Sequence, residues 1–378
     1  MKIAFIPSTF LPWLGGAEIQ SHNTANKLSE MGNEVDIFLL KKVKISNKKY
    51  NILELNKVII NIVFLFKYYL KIDLRFLLKI YFKKLCSKKN YKVWNFQSVN
   101  FKTLLYIKPL KELNQKVIIT FHGADIQKDT NIRYGYRFDS KYEELLKKTL
   151  KIIDKVYAIS DTIINELTLL DYPKNKIVKI PNSIEIKKFR EYEDIKKDGD
   201  TIKFITVARY YEKKKGLDLI ESVSKHLIDK NIDFKWTLVG RDSSNLLKKD
   251  FILRNKQFFE IVSEVPNHDE IYFPNSKLIK IYKSHHAYVN LARIESFGIT
   301  ILEAIAAGLP VISFNTKGAN ELIINGKNGI LVDEYDPLKM AEQIVKKIQE
   351  KYFNKKIDYP KIDKFDLEYN SKITQDNF

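Results

Sequence analysis

Two carboxylates eight residues apart, Glu295 and Glu303, stand in the stretch Ala287–Gly308, AYVNLARIESFGITILEAIAAG. The pattern predicts a short apolar strand over Ala287–Leu291, a turn holding Glu295 and Gly298, and a helix whose first turns carry Glu303. Both carboxylates can then face whatever lies over the helix N-terminus. There the N–H groups of Ile299 and Thr300 lack intrahelical acceptors, and with the helix dipole they attract an anion such as a phosphate. Gly298 lets the backbone approach that anion closely. A carboxylate beside a phosphate repels it unless it points at neutral hydroxyls, so Glu303 suits a ribose diol and Glu295 a second set of hydroxyls. Phosphate, ribose and further hydroxyls together describe a nucleotide-sugar. On spacing alone, an ordinary strand–turn–helix with a capping glutamate fits the same residues.

Other groups fit that chemistry. After the apolar run Lys203–Ala208 comes RYYEKKKG, where Arg209 and Lys215 at the mouth of a strand can neutralise a diphosphate with a guanidinium fork and an ammonium. Lysine is abundant in this chain, so position after a strand and before Gly216-Leu217-Asp218 carries the argument; Lys213 and Lys214 read as solvent charges. The run Val117–Phe121 delivers HGAD, His122–Asp125, at the C-terminal end of a strand, where ligands sit in open α/β sheets. Gly15 and Gly16 make a turn ahead of the first helix, without the G-x-G-x-x-G of a dinucleotide site. Taken singly, a histidine after a strand is often structural, and a glycine pair is often only a turn.

The E-SFG-x4-E arrangement of Glu295, Ser296, Phe297, Gly298 and Glu303 resembles the donor site of retaining glycosyltransferases of the GT-B architecture, most closely glycosyltransferase family 4. RYYEKKKG resembles that family's R-x5-K-G clamp, HGAD its H-G-x-D segment, and Gly15-Gly16-Ala17-Glu18 its N-terminal glycine loop. IPNS at Ile180–Ser183 resembles its I-P-N-G with serine for glycine, and Arg241-Asp242 departs from a turn usually rich in glycine. The resemblance is strong from Lys203 to Ile348 and weak from Lys41 to Tyr91. It implies an α/β fold of two Rossmann-like domains facing each other across a cleft, with a C-terminal helix crossing back to the first. It implies donor binding by Gly16, Arg209, Lys215, Ser296, Phe297, Gly298, Ile299, Thr300 and Glu303, and catalysis by His122, Glu295 and Asp125. Sugar transfer would retain the anomeric configuration through front-face attack, with no cofactor and no metal, because Arg209 and Lys215 stabilise the departing nucleoside diphosphate. Glu295 and Glu303 then bind hydroxyls, unlike the acid and nucleophile of a retaining hydrolase.

The elements that must hold these residues read as two strand–helix units in series, and 378 residues suffice for two cores. The expected domains are 1–184, with 360–378 crossing back, and 185–359. The first opens with strand Lys2–Pro7, a helix over about Ala17–Met31 and strand Val35–Leu40, one Rossmann-like unit. The charged segment Ile186–Asp200 reads as the linker. The second repeats the pattern from Lys203, with Ile261–Pro266 expected to offer backbone to the nucleotide base and Phe365–Phe378 as the terminal helix.

An apolar share of 45% argues against disorder, and the single Cys86 excludes a disulfide framework. The start MKIAFIPSTF enters a strand directly, with no signal-peptide pattern. No apolar run approaches the roughly 18 residues of a spanning helix. A cytoplasmic protein is expected, peripheral on the cytosolic face of the plasma membrane. The net charge of +19 is uneven: Lys41–Lys92 holds 15 basic residues against Glu54 and Asp73. Lys67, Lys71, Arg75, Lys79 and Lys83 recur at steps of four, predicting a helix with a basic face opposite Leu70, Leu74, Leu77 and Tyr81 that suits an anionic membrane surface. Helices packed on the sheet, with lysines snorkelling to water, are the alternative. Nucleic acid is not expected as a partner, since only eight arginines occur and no binding module is recognisable. The expected partners are a UDP- or GDP-sugar and a glycan or lipid-linked acceptor in cell-surface polysaccharide or lipopolysaccharide synthesis; a small soluble glycoside is the alternative product.

Overall fold

The computed structural model describes every residue except 194, 196–198, 264, 266–269, 355, 356, 358 and 360. Parts of the expected linker and of the expected base-contacting segment, and the expected boundary at residue 360, lie outside the described residues. The chain divides into two compact units, Met1–Asn182 with Leu367–Phe378, and Ser183–Asp366.

Unit 1 runs β1 (Lys2–Pro7), α1 (Gly16–Glu30), β2 (Glu34–Leu39), β3 (Asn51–Glu54), α2 (Lys57–Tyr69), α3 (Arg75–Lys88), β4 (Val93–Gln97), α4 (Phe101–Lys111), β5 (Val117–Phe121), α5 (Ser140–Leu150), β6 (Lys155–Ala158), α6 (Asp161–Leu169) and β7 (Ile177–Lys179). Its seven strands are all parallel, in the order β3-β2-β1-β4-β5-β6-β7. A parallel sheet covered on both faces needs near-continuous apolar strands, and β1 and β5 supply them: Ile3, Phe5, Val117, Ile118 and Ile119 are fully buried.

Unit 2 begins with a short helix, α7 (Ile186–Arg190), followed by β8 (Ile202–Val207), α8 (Glu212–Lys215), α9 (Ile220–Asp229), β9 (Phe234–Val239), α10 (Asp250–Arg254), β10 (Phe259–Val262), α11 (Ser276–Lys283), β11 (Ala287–Asn290), α12 (Ile299–Ala306), β12 (Val311–Phe314), α13 (Lys317–Leu322), β13 (Gly329–Val332) and α14 (Pro337–Gln349). Its sheet is also parallel, ordered β10-β9-β8-β11-β12-β13. Ile186 and Phe189 are buried, so the opening of the segment expected as a bare linker is a packed helix. The last helix, α15 (Leu367–Asp376), belongs to unit 1: Asn33 donates to Gln375 at 2.6 Å, and the rings of Tyr157 and Phe378 lie 6.2 Å apart.

One expected helix is two. α2 stops at Tyr69, Lys71 takes a left-handed φ of 60°, and Asp73 accepts from the backbone and guanidinium of Arg75 to open α3. The break misaligns the steps of four, and the basic face expected from Lys67 to Lys83 does not form. Lys67 and Arg75 pair with Asp73, and Lys79 pairs with Glu112.

The short edge strand β3 depends on one buried charge. Asp36 on β2 accepts from Asn51 at 2.9 Å, Lys89 at 2.6 Å and Tyr91 at 2.5 Å. Burial pushes this carboxyl up, but the three donors outweigh it and hold it below its ordinary value. A carboxyl depressed in the folded state stabilises above the unfolded value of 3.8 and loses that contribution as pH falls through its folded value. Asp36→Ala is expected to cost about 2–3 kcal/mol in urea unfolding at pH 7, and the gap to wild type is expected to shrink as pH falls below that value.

Candidate active site

In both sheets the strand order reverses direction once, between β1 and β4 and between β8 and β11, and the crevice at such a reversal is where open α/β sheets bind ligands. In unit 2 the loops leaving β8 and β11 carry the residues singled out from the sequence. They are fastened together. The Arg293 backbone N–H donates to Lys214 O at 2.9 Å, and its guanidinium donates to Lys213 O at 2.9 Å and to both carboxylate oxygens of Asp218 at 2.7 Å. Gly216 sits where the two loops touch, with φ of 66°; a Cβ there would lie 1.8 Å from Leu291 O.

Within this fastened pair Lys215 Nζ donates to Glu295 Oε1 at 2.6 Å, Lys215 being mostly enclosed and Glu295 buried. The structure thus joins directly two residues assigned separately to phosphate and hydroxyls. Arg209 leaves the same strand end exposed, without an ion-pair partner among the described residues. The loop after Glu295 is held from below. Gly318 N–H donates to Glu295 O at 3.1 Å, Ser296 is buried, and the Phe297 ring packs edge-on to Phe365 with centroids 5.7 Å apart. Phe297 therefore anchors the loop in the core and can meet a ligand only through its backbone. Gly298, at φ 92° and ψ 56°, is the N-cap of α12, so the N–H groups of Ile299 and Thr300 open that helix without intrahelical acceptors. Thr300 Oγ1 lies 2.7 Å from the Tyr288 hydroxyl.

Glu303, one turn further into α12, is buried and accepts from the Tyr282 hydroxyl at 2.8 Å on Oε2. Burial raises its carboxyl to about 7, against the opposing pull of the Tyr282 bond. Tyr282, Tyr288, Arg293 and Asp218 were not singled out from the sequence: two are apolar-looking positions of an amphipathic helix and a strand, and the other two are surface charges until the loops meet.

In unit 1, β5 ends in His122. Its ring Nε2 lies 3.2 Å from Gln97 Oε1, and its enclosed Nδ1 has no hydrogen-bond partner among the described residues. Burial pulls this imidazole down to about 4, so it is neutral at pH 7. Asp125 is fully buried and accepts from the backbone N–H of His122 at 3.1 Å and of Gly123 at 2.8 Å. Its carboxylate holds the loop and acts on His122 through the backbone, not through the ring. Gly16 begins α1, with Gly15 as an N-cap that offers no side-chain bond. Beside this turn a cavity of about 580 Å³ opens at the ends of β1 and β2, floored by Phe38, Leu55 and Tyr106 and edged by Trp13 and by Lys41, Lys42 and Lys44. Those three lysines have no acidic partner among the described residues, and composition alone had not distinguished them from their neighbours.

Known proteins share this architecture. The family described as Glycosyltransferase Family 4 matches residues 14–188, and Glycosyl transferases group 1 matches 187–361, so the two adjoin without a gap. A Salmonella typhimurium protein named as a colanic acid biosynthesis glycosyltransferase, WcaL, is 25% identical over 281 residues, 72% of this chain but only 64% of its own length. The N-acetyl-alpha-D-glucosaminyl L-malate synthase of Bacillus anthracis is 23% identical over 90% of this chain and 87% of its own. Among solved structures, a glycosyltransferase from Rickettsia africae superposes with a TM-score of 0.71 at 20% identity, covering 99% of this chain and 97% of that one. Anabaena Alr3699/HepE in complex with UDP-glucose superposes with 0.68 at 13% identity, covering 100% and 95%. The chain belongs to the glycosyltransferases of the GT-B fold, in their family-4-like group.

Proposed function

We propose that this chain is a retaining, metal-independent glycosyltransferase that moves a sugar from a UDP- or GDP-sugar to a glycan or lipid-linked acceptor in cell-surface polysaccharide or lipopolysaccharide synthesis, at the cytosolic face of the membrane. The observation that carries the reading is the Lys215–Glu295 pair, three residues ahead of the glycine that opens α12. A diphosphate placed at that helix end meets unpaired N–H groups, the free Arg209 guanidinium and an ammonium already in position. Glu295 holds the ammonium in place before donor arrives and is then free to take sugar hydroxyls. Glu303 accepts from the ribose diol. His122, neutral and fixed through Asp125, is the group proposed to contact the transferred sugar and support its oxocarbenium-like transition state. The acceptor oxygen attacks the anomeric carbon on the face the leaving group departs from; its proton passes to the departing diphosphate oxygen. The positive charge of residues 41–92 would keep the protein at the anionic membrane that holds a lipid-linked acceptor.

A second acceptor class is favoured by the likeness, over most of both chains, to the N-acetyl-alpha-D-glucosaminyl L-malate synthase. The cavity with Lys41, Lys42 and Lys44 at its edge suits a small anionic acceptor equally well. Whether labelled product extracts into organic solvent or stays in water separates the two.

Incubation with a panel of UDP-, GDP- and ADP-sugars is expected to release nucleoside diphosphate slowly from one of them without acceptor, and Lys215→Ala to slow that release by roughly 100-fold or more. Release from none would overturn the enzyme reading. Glu303→Ala is expected to weaken donor binding about 10- to 100-fold in calorimetry. If the diol needs the carboxylate, binding must first remove its proton below pH 7, so wild-type affinity should fall by up to tenfold per pH unit there and level off above it. Glu303→Gln should bind weakly at every pH, with that slope gone; a slope that survives would assign the titration to another group.

A further inference from the structure

The helix hairpin of α2 and α3 carries an apolar surface that the protein leaves uncovered. On α2, Ile60 and Val63 face inward and are buried, yet Val58, Ile62, Leu65 and Tyr69 are exposed, at 68%, 39%, 49% and 64%. Steps of four, three and four put those four on a single stripe. No charged residue occurs from Val58 to Phe66. A surface helix ordinarily turns its polar side outward, and a helix apolar all round is ordinarily covered on every side. α3, which packs against α2, likewise leaves Phe76 and Ile80 exposed, at 56% and 64%, while Leu78 and Phe82 are buried. Around it stand Lys57, Lys83, Lys84 and Lys88, all exposed and without acidic partners among the described residues.

We propose that α2 and the first turns of α3 are a membrane-insertion face, on which Val58, Ile62, Leu65, Tyr69, Phe76 and Ile80 enter the boundary between headgroups and acyl chains of an anionic bilayer. The surrounding lysines meet the headgroups, each adding attraction to negative lipid. A bilayer is favoured over a protein partner because the charges around the stripe left without an opposite partner, Lys57, Lys83, Lys84 and Lys88, are all basic, while Asp73 is already paired with Lys67 and Arg75, and a uniformly anionic surface complements that excess. This deepens the membrane contact proposed above and reverses its geometry: the apolar stripe, not a row of lysines, is the contacting element. No helix among the described residues is long and apolar enough to cross a membrane, so the contact is in the plane of one leaflet.

The test is flotation of the full chain with vesicles of phosphatidylcholine alone or mixed with phosphatidylglycerol. Wild type is expected to float with the mixed vesicles, and the triple variant Ile62→Glu, Leu65→Glu, Phe76→Glu to lose at least about tenfold in partitioning with its melting temperature kept. Wild type that stays behind, or a variant that floats equally well, overturns the proposal. So does sedimentation finding a wild-type dimer that the variant abolishes, since a second copy would then cover the stripe. Nucleoside diphosphate release from free donor is measured on both proteins: its absence in both, with flotation as expected, would sink the enzyme reading alone.

Discussion

The candidate donor site depends on Arg293. Its backbone and guanidinium tie the loop after β11 to the loop after β8, and its fork closes on Asp218 just past Gly216. Each such bond is worth only on the order of 1 kcal/mol net, but together they remove relative freedom that would otherwise separate Lys215 from Glu295. A bare glutamate is a poor neighbour for a diphosphate; one neutralised at 2.6 Å by a fixed ammonium is not. Gly216 is the steric condition for this arrangement, because the loops approach within a distance that no side chain tolerates there.

Burial then divides two residues of one chemical type. Glu295 has a cation as its partner, whereas Glu303 has a phenol in an enclosed place and is raised to about 7. In a low dielectric an unpaired carboxylate is costly, so the helix that positions Glu303 also sets its readiness to accept hydrogen bonds from hydroxyls. The same reasoning covers the HGAD segment. Asp125 spends its oxygens on backbone N–H groups, which fixes the loop but leaves the His122 ring to its own surroundings.

Unit 1 repeats the strand order of unit 2 and adds β7, the α2–α3 hairpin and a lysine-edged cavity. Counting charges located the unusual region but mistook its geometry. A helical wheel assumes an unbroken helix; the turn at Lys71–Leu74 breaks it, and two of the expected membrane-facing cations, Lys67 and Arg75, are taken up by the exposed Asp73 in that turn. What remains outward on α2 is aliphatic. The edge strand β3 escaped notice because its four residues, NILE, are too few and too exposed to carry a strong alternation, and their parallel pairing with β2, tied at one end by the Asn51–Asp36 bond, is a contact between distant parts of the chain.

Sequence alone determined the fold class, because parallel strands covered on both faces must be nearly all apolar and the helices between them must begin and end on recognisable glycines and caps. It also brought out the residues around which the proposed donor site is built: Gly298 opening α12, with carboxylates on either side, is local in the chain and so readable from spacing. Only the tertiary structure decided that Lys215 pairs with Glu295 across 80 positions, that Arg293 and Asp218 fasten their loops, that Tyr282 caps Glu303, and that the stripe from Val58 to Tyr69 stays uncovered. These are contacts between elements distant in the chain, or the lack of one, and hydrophobic periodicity records which side of an element is apolar without recording what lies against it.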